Sequence, residues 1–100
     1  MLLYNITFGI DKVIETEWIA WMKINYLPAV LNTGLFVDYK MYKILTQDEE
    51  DSVSYSIQCF GEKIEDVLMY LNEYAPQLTE LHREKFKDRH VAFNTLLEEI

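Results

Sequence analysis

Two histidines, an asparagine inside an apolar segment and many aromatic rings are the residues of this sequence whose chemistry could serve a function. His82 is the first candidate, because an imidazole titrates near neutral pH, can act as a general base and can ligate haem iron. It follows Leu78 by one helical turn on an apolar stripe, so we expect it to face a sheet. Asn5 interrupts an alternating strand pattern, where its amide could polarise a substrate carbonyl or form a cross-strand hydrogen bond.

Aromatic residues make up 14% of the chain, which is more than a core of this size needs. Some rings are therefore expected to line a pocket or a subunit interface. Trp18 and Trp21 share one helical face, and Tyr26 stands just before a helix-interrupting proline, where pockets often lie. We predict an aromatic-lined cleft between helices and sheet, with core packing as the alternative role for each ring. The predicted ligand-binding residues are Tyr4, Trp18, Trp21, Tyr26 and Tyr55.

The other candidate groups are expected to be structural. Cys59 alternates with apolar strand residues, which indicates a buried thiol, and His90 precedes the last strand without a visible partner, which indicates a surface position. No glycine-rich phosphate loop, nucleophile elbow or H-E-x-x-H pair occurs. One cysteine and two scattered histidines exclude an intrachain disulfide and favour neither a metal site nor any cofactor.

The elements that must position these residues follow from apolar periodicity, which gives the order β-α-β-β-α-β. Strands are predicted over residues 2–10, 35–46, 53–60 and 89–98. The first helix follows Asp11, is interrupted at Pro28 and stops at Gly34. The second opens near residues 61–63 and is interrupted at Pro76. The acidic run 47–51 must be an exposed hairpin turn, because consecutive carboxylates are too costly to bury.

The same periodicity assigns side chains to faces. On the helices, the side expected to meet the sheet carries Ile14, Trp18, Trp21, Met22 and Asn25, then Ile64, Val67, Leu68, Leu71, Ala75, Leu78 and His82. On the second and fourth strands, the side expected to meet the helices carries Leu35, Val37, Tyr39, Met41 and Leu45, and Val91, Phe93, Thr95 and Leu97. The opposite sheet face is expected to gather Asn5, Thr7, Lys40, Tyr42, Ser54, Ser56, Gln58, Ala92 and Asn94.

This order of elements is the split-βαβ, ferredoxin-like α+β fold: a four-stranded antiparallel sheet with two helices on one face, as a single domain over residues 1–100. The predicted opposite face is polar but largely uncharged, which is typical of a wet subunit interface. Two such faces would close into a dimeric α+β barrel, so the expected protein partner is a second copy of the chain.

Net charge restricts the other partners. Seventeen acidic against nine basic residues give a formal charge of -8, which repels phosphate backbones and anionic lipid. No apolar run approaches the roughly 18 residues of a membrane helix. The N-terminal segment has neither a preceding basic residue nor a small-residue cleavage site, so we expect no signal peptide and a cytoplasmic location.

Several short segments, taken in order, resemble one known family. They are Tyr4-Asn5-Ile6-Thr7, Trp18-x-x-Trp21-Met22, Leu27-Pro28, Thr33-Gly34-Leu35-Phe36, Tyr74-Ala75-Pro76 and Val91-Ala92-Phe93-x-Thr95-Leu96-Leu97-Glu98. Together they are similar to domain of unknown function 4286, small bacterial proteins of the dimeric α+β barrel group. The resemblance implies that fold but no activity, since the family has none assigned. The wider group includes cofactor-free monooxygenases, isomerases and haem-degrading enzymes, some of which use a helix histidine with a first-strand asparagine, here His82 and Asn5.

Three functional hypotheses follow. The first is a homodimeric module that binds a small apolar or aromatic molecule in the predicted cleft. The second is a cofactor-free monooxygenase, isomerase or haem-degrading enzyme in which His82 and Asn5 are catalytic. The third is a structural protein whose polar sheet face engages another chain.

Overall fold

The computed structural model describes residues 1–47, 49–87 and 89–100, and its centre is an antiparallel sheet. The strand order is β2-β3-β1-β4. The strands are β1 (Leu2–Asp11), β2 (Asp38–Ile44), β3 (Ser52–Gly61) and β4 (His90–Glu98). Helical segments join β1 to β2 and β3 to β4 and pack on one side of the sheet. The predicted ferredoxin-like α+β fold is confirmed.

Each helical connection is divided into segments at its proline. The first contains a 3-10 turn (Lys12–Ile14), α1 (Glu15–Trp21), a π-helical turn (Met22–Tyr26) and α2 (Leu27–Asn32). The second contains α3 (Ile64–Glu73) and α4 (Ala75–Lys85). Pro28 and Pro76 lie in the first turn of the following helix, where a missing N–H breaks no bond. Gly34 adopts φ 77° after α2, a conformation that glycine reaches without strain. These interruptions agree with the prediction.

The core lies between the helices and the two central strands. Every second residue of β1 and β3 is buried on this side, as the alternation predicted. Each such aliphatic side chain contributes about 1.5–3 kcal/mol of transfer free energy. These strand residues are Tyr4, Ile6, Phe8 and Ile10, and Val53, Tyr55, Ile57 and Cys59. The helices contribute Trp18, Met22, Tyr26, Leu27, Val30, Val67, Tyr70, Leu78 and His82.

The strand β4 faces the opposite way from the prediction. Its register with β1 places Ala92 beside Phe8 and Asn94 beside Ile6, so both lie on the helix side. The predicted inward set is instead on the side without helices, where Val91 is 72% and Phe93 63% exposed. Alternation alone determines which residues share a face, and here the more apolar set does not face the core of its own chain. The misassigned residues are Val91, Phe93, Thr95 and Leu97, and Ala92 and Asn94.

The strand β2 is shorter than predicted. Tyr39 and Met41 pair with Cys59 and Ile57 and so share the helix side, as expected. Val37 precedes the strand and Leu45 follows it in the 3-10 turn Leu45–Gln47, and both are exposed. The strand β2 lies at the edge of the sheet, and its pairing with β3 spans Asp38–Ile44.

The acidic turn lies between β2 and β3. Glu49, Glu50 and Asp51 are exposed there, as predicted, and Asp48 is outside the described residues.

Three residues predicted on the inner helical stripes are exposed: Asn25, Ile64 and Leu68. The π-helical turn adds a residue to one turn, so Tyr26 rather than Asn25 lies next to Trp21, at 6.2 Å between ring centroids. The rest of the stripe predicted through α3 and α4 continues across Pro76: Val67, Leu78 and His82 are buried, and Leu71 and Ala75 pack against the core. In α3 the buried side chains are Val67 and Tyr70.

The side of the sheet without helices is called the open face below. Its residues are Leu3, Asn5, Thr7 and Gly9 of β1, Ser54, Ser56, Gln58 and Phe60 of β3, Lys40, Tyr42 and Ile44 of β2, and Val91, Phe93, Thr95 and Leu97 of β4. In the described part of the chain no helix has the length and apolar character needed to cross a membrane.

Candidate functional site

A cleft of about 140 Å³ lies between β1, β4 and the helical layer. It exists because the residues of β4 on this side are small or polar: the Ala92 methyl group beside Phe8 and the Asn94 amide beside Ile6 do not fill the space. The lining residues are Tyr4, Ile6, Phe8, Tyr26, Thr79, His82, His90, Ala92, Phe93 and Asn94. Among the described residues, no Asp, Glu, Lys or Arg side chain lines this cleft.

Tyr26 reaches the cleft through the π-helical turn. Pro28 has no N–H to donate within the helix, and in the turn just before it the Leu27 N–H bonds the carbonyl of Met22, five residues earlier. Such turns are frequent at functional sites because they redirect one side chain. Tyr26 is buried, and burial together with the neighbouring Tyr70 and Tyr4 hydroxyls raises its pKa well above 10.

His82 is held in the back wall of the cleft as a neutral ring. Its side chain is 2% exposed, and the indole Nε1–H of Trp18 donates a hydrogen bond to its Nε2 at 2.8 Å. An indole N–H can only donate, so Nε2 carries no proton and the neutral tautomer has its hydrogen on Nδ1. Burial, assisted by the charge of His90, lowers the pKa of His82 to about 4. The Nε2 lone pair of His82 is therefore occupied by the hydrogen bond from Trp18.

His90 presents the second imidazole at the edge of the cleft. The two histidine rings lie 4.4 Å apart between centroids, edge to face at 82°. The Nδ1 of His90 is 3.0 Å from the carbonyl oxygen of Phe86, which can only accept, so Nδ1 is the protonated nitrogen. The neutral ring then carries a lone pair on Nε2. Sequence reasoning placed His90 on the surface, because the Phe86 carbonyl is a backbone partner with no sequence signal.

Tyr4 and Asn94 form the polar pair of the cleft. The Asn94 Nδ2 donates to the Tyr4 hydroxyl oxygen at 2.6 Å, which leaves the tyrosine proton available to another acceptor. Burial raises the pKa of Tyr4, the Asn94 hydrogen bond partly offsets that effect, and nearby Cys59 adds to it. Burial likewise raises the pKa of the Cys59 thiol to about 12. The hydroxyl and the thiol are both protonated at neutral pH.

Of the five predicted ligand-binding aromatics, the structure brings two to the cleft, Tyr4 and Tyr26. Trp18 and Trp21 lie behind it and contact His82. Tyr55 lies elsewhere: its hydroxyl donates to Glu15 Oε2 at 2.5 Å, and burial followed by this carboxylate raises its pKa.

The predicted catalytic pair, His82 and Asn5, is separated by the sheet. Asn5 lies on the open face, where its Oδ1 accepts from Ser56 at 2.5 Å and its Nδ2 donates to Thr7 at 3.1 Å. The bond from Ser56 of β3 is the cross-strand bond of the alternative interpretation, whereas Thr7 lies on the same strand as Asn5. The asparagine that shares the cleft with His82 is Asn94. The sequence prediction placed it on the opposite side of the sheet, because the two faces of β4 were interchanged.

In the described part of the chain, no three His, Cys, Asp or Glu side chains cluster closely enough to hold a metal ion. The donors that the cleft offers are phenol hydroxyls, an amide and imidazole nitrogens. Such a set can bind a neutral polar group by hydrogen bonds and can accept or donate a proton.

The antiparallel sheet with its helices on one side defines a ferredoxin-like α+β domain. Over residues 1–100 the chain matches the family described as Domain of unknown function (DUF4286), and it belongs to that family. The resemblance to this family, which the sequence segments indicated, is confirmed. A search of the curated proteins found no match.

Solved structures share the fold at low identity. A Deinococcus radiodurans protein, inferred to be an antibiotic biosynthesis monooxygenase, has a TM-score of 0.74 at 10% identity, with 100% of this chain and 93% of that chain covered. SnoaB, a cofactor-independent oxygenase from Streptomyces nogalater, has a TM-score of 0.64 at 9% identity, covering 98% and 92%. A hydroxynitrile lyase from Passiflora edulis has a TM-score of 0.60 at 17% identity, covering 99% and 95%. At these identities the likeness concerns the fold alone.

Proposed function

We propose that this protein binds one small, neutral, planar molecule in the cleft between β1, β4 and the helices. The observation that carries the proposal is a cavity of about 140 Å³ whose walls combine aromatic rings with a few convergent polar groups. An engineered apolar cavity of about 150 Å³ is large enough to hold benzene, which sets the size of the ligand. The aromatic rings of Phe8 and Tyr26 in the lining favour a planar ring as ligand.

The electrostatics of the cleft favour a neutral ligand. Tyr4 and Tyr26 remain protonated because burial raises their pKa, and His82 remains uncharged because burial lowers its pKa to about 4. An anion would gain no fixed counter-charge there, and the formal charge of -8 would repel it. A cation would lose hydration without a carboxylate in the lining.

Ligand titration by NMR with phenol, benzyl alcohol and benzoate tests this proposal. Phenol and benzyl alcohol are expected to shift the resonances of Tyr4, Tyr26 and Asn94, and benzoate is expected to shift them less. Ala92→Leu should fill the cleft and weaken phenol binding at least tenfold, whereas Ala20→Leu, on an exposed position of α1, should not. Absence of any shift with phenol, or equal binding in the two variants, would refute the cleft as a binding site.

We also infer that a second copy of the chain covers the open face. The observation is that β4 turns Val91, Phe93 and Leu97 outward on a sheet whose neighbouring strands present uncharged Asn5, Thr7 and Ser56. Exposed apolar side chains in a continuous patch with neutral polar neighbours are typical of subunit interfaces.

Native mass spectrometry and sedimentation velocity measure this association directly. Wild-type protein is expected to be a dimer. Val91 is exposed on the open face, and Val91→Glu should give a monomer. Val13 is 80% exposed in the 3-10 turn, and Val13→Glu should remain dimeric. A monomeric wild type would refute the dimer, and a different protein recovered in stoichiometric amount would favour the interaction-module hypothesis.

Two further points complete the proposal. The oxygenase and lyase activities named for the similar structures support small-molecule chemistry on this fold, without extending those reactions to this chain.

We also propose a cytoplasmic location, because the chain has a single cysteine, Cys59, which is buried and forms no disulfide.

A further inference from the structure

His90 and His82 differ in what each can offer to a ligand. In His82 the Nε2 lone pair accepts from Trp18, at 2.8 Å, inside the core. In His90, which lines the cleft, Nδ1 is held by the Phe86 carbonyl, so the neutral ring keeps its lone pair on Nε2. A backbone carbonyl that fixes one imidazole nitrogen as a donor defines the other as the acceptor.

The Tyr4 hydroxyl supplies the complementary donor. Its oxygen accepts from Asn94 Nδ2, so its own hydrogen can be directed toward a ligand oxygen in the same cleft. A hydroxyl that already accepts a hydrogen bond is a better donor, because successive hydrogen bonds polarise one another. The cleft thus pairs a proton acceptor, His90, with a donor positioned by an amide, Tyr4.

We propose that His90 accepts a proton from the bound ligand and that Tyr4 stabilises the oxygen anion that remains, so that the ligand class is a neutral, ring-sized acid of the phenol or enol type. This proposal rests on the ligand-binding function proposed above. It makes the cleft a proton-transfer site that needs no cofactor.

The transferred proton and the electron pair that it leaves both remain within the protein–ligand complex. The O–H proton of the ligand, or a C–H proton beside a carbonyl, moves to Nε2 of His90. The electron pair of the broken bond stays on the ligand and ends on its oxygen, which accepts the Tyr4 O–H hydrogen bond. Return of the proton from His90 to the same or another ligand atom regenerates the neutral imidazole, so no oxidant, reductant or second substrate is required.

His90 has charged neighbours on its solvent side and a neutral ring on its inner side. On the solvent side its described neighbours are two carboxylates and two cations: Glu80, Arg83, Glu84 and Lys87. Glu80 and Arg83 pair with each other at 2.8 Å. On the inner side His82 stays neutral, since its lone pair is held by Trp18 and its pKa lies near 4, and it adds no like charge.

The test uses 4-nitrophenol, whose neutral and ionised forms absorb at different wavelengths. Wild-type protein and His90→Asn are titrated with this probe across pH. Asparagine preserves a side-chain N–H for the Phe86 carbonyl and removes the Nε2 acceptor. The apparent pKa of the bound probe is expected to be at least about one unit lower in the wild type than in His90→Asn, a tenfold difference in the ionised-to-neutral ratio.

Each outcome has a distinct meaning. If both proteins bind the probe with the same apparent pKa, the proton-acceptor role of His90 is wrong while ligand binding stands. If wild-type protein does not bind the probe, both proposals fail for phenols. Should His90→Asn not fold, ¹⁵N NMR of the wild-type imidazoles decides: probe binding must protonate Nε2 of His90 while His82 remains neutral, and an unprotonated His90 overturns the inference.

Discussion

Two imidazoles whose ring centroids are 4.4 Å apart lie in opposite environments of this fold. His82 is enclosed by Trp18, Trp21, Phe8 and Phe86, and its Nε2 is satisfied by the Trp18 N–H. His90 lies at the rim, where the Phe86 carbonyl orients it and solvent reaches it. We call the first environment the sealed pocket and the second the open rim.

The difference shows that residue type and sequence position do not decide which histidine can do chemistry. In the sealed pocket, burial opposes the charged form and a donor-only indole occupies the lone pair, so the ring is held in one state. At the open rim, an acceptor-only carbonyl holds the other nitrogen, and the lone pair stays available. The hydrogen-bond partner of each ring therefore assigns its role.

The largest effect is expected from breaking the sealed pocket. Trp18→Ala removes a fully buried ring and the only donor shown to His82 Nε2 among the described residues, and should lower the free energy of unfolding by about 3–5 kcal/mol. Urea denaturation measures this loss. Trp21→Ala, at a half-buried position beside the same histidine, is the matched control and should cost less. An equal loss in both variants would mean that the pocket is not sealed by Trp18.

A second effect is pH-dependent. His82 has a pKa of about 4 in the folded protein against 6.5 for the free side chain, so between these values the unfolded chain takes up a proton that the folded chain does not. The stability associated with neutral His82 is complete above pH 6.5 and is lost as pH falls toward 4, by about 2–3 kcal/mol.

Denaturation series at pH 7, 5.5 and 4.5 measure this slope. His82→Gln, whose amide oxygen can accept from Trp18 without titrating, should flatten it, because the unfolded variant no longer gains that proton. His90→Asn should retain most of the slope, since burial is the larger cause of the lowered pKa. An unchanged slope in His82→Gln would assign the acid sensitivity to other groups.

The sheet and its helices could be predicted from the sequence because their signals are local. The alternation of β1 and β3 gave both strands and their inner faces, and Pro28, Gly34 and Pro76 gave the helix interruptions. In each case the physical cause lies within a few residues of the signal: side-chain direction in a strand, or a missing N–H in a helix.

The site could be predicted only in part, because its geometry depends on which face each strand turns inward. Tyr4, Tyr26 and His82 were named from the sequence and lie in the cleft. Asn94 was placed on the wrong face, since alternation shows which β4 residues share a side but not which side meets the helices. The more apolar set was expected to face the core.

His90 was missed for a different reason. Its orienting partner is a backbone carbonyl supplied by the turn after α4, and backbone groups are the same in every sequence. Only the folded position of Phe86 relative to the start of β4 reveals the bond. This part of the site had no sequence signal from which it could have been found.

A smaller effect is expected from the polar pair within the cleft. Tyr4→Phe removes the acceptor of the Asn94 amide but keeps the buried ring, so it should cost about 0.5–1.5 kcal/mol in unfolding free energy and weaken phenol binding. Tyr74→Phe, at an exposed position, should cost little and leave binding unchanged. Tighter phenol binding by Tyr4→Phe would show that the Tyr4 hydroxyl does not contact the ligand.

The smallest effect is expected on the solvent side of the open rim, where charges are numerous but exposed. Arg83 pairs with Glu80 at 2.8 Å within one helical turn and lowers the pKa of that carboxyl. The Arg83 side chain is 66% and the Glu80 side chain 49% exposed, so water screens the pair and Arg83→Ala should leave the unfolding free energy nearly unchanged. NMR titration of Glu80 should show its pKa rising in the variant, while urea denaturation shows little change. A clear loss of stability in Arg83→Ala would mean that this side of His90 is more enclosed than the rim geometry indicates.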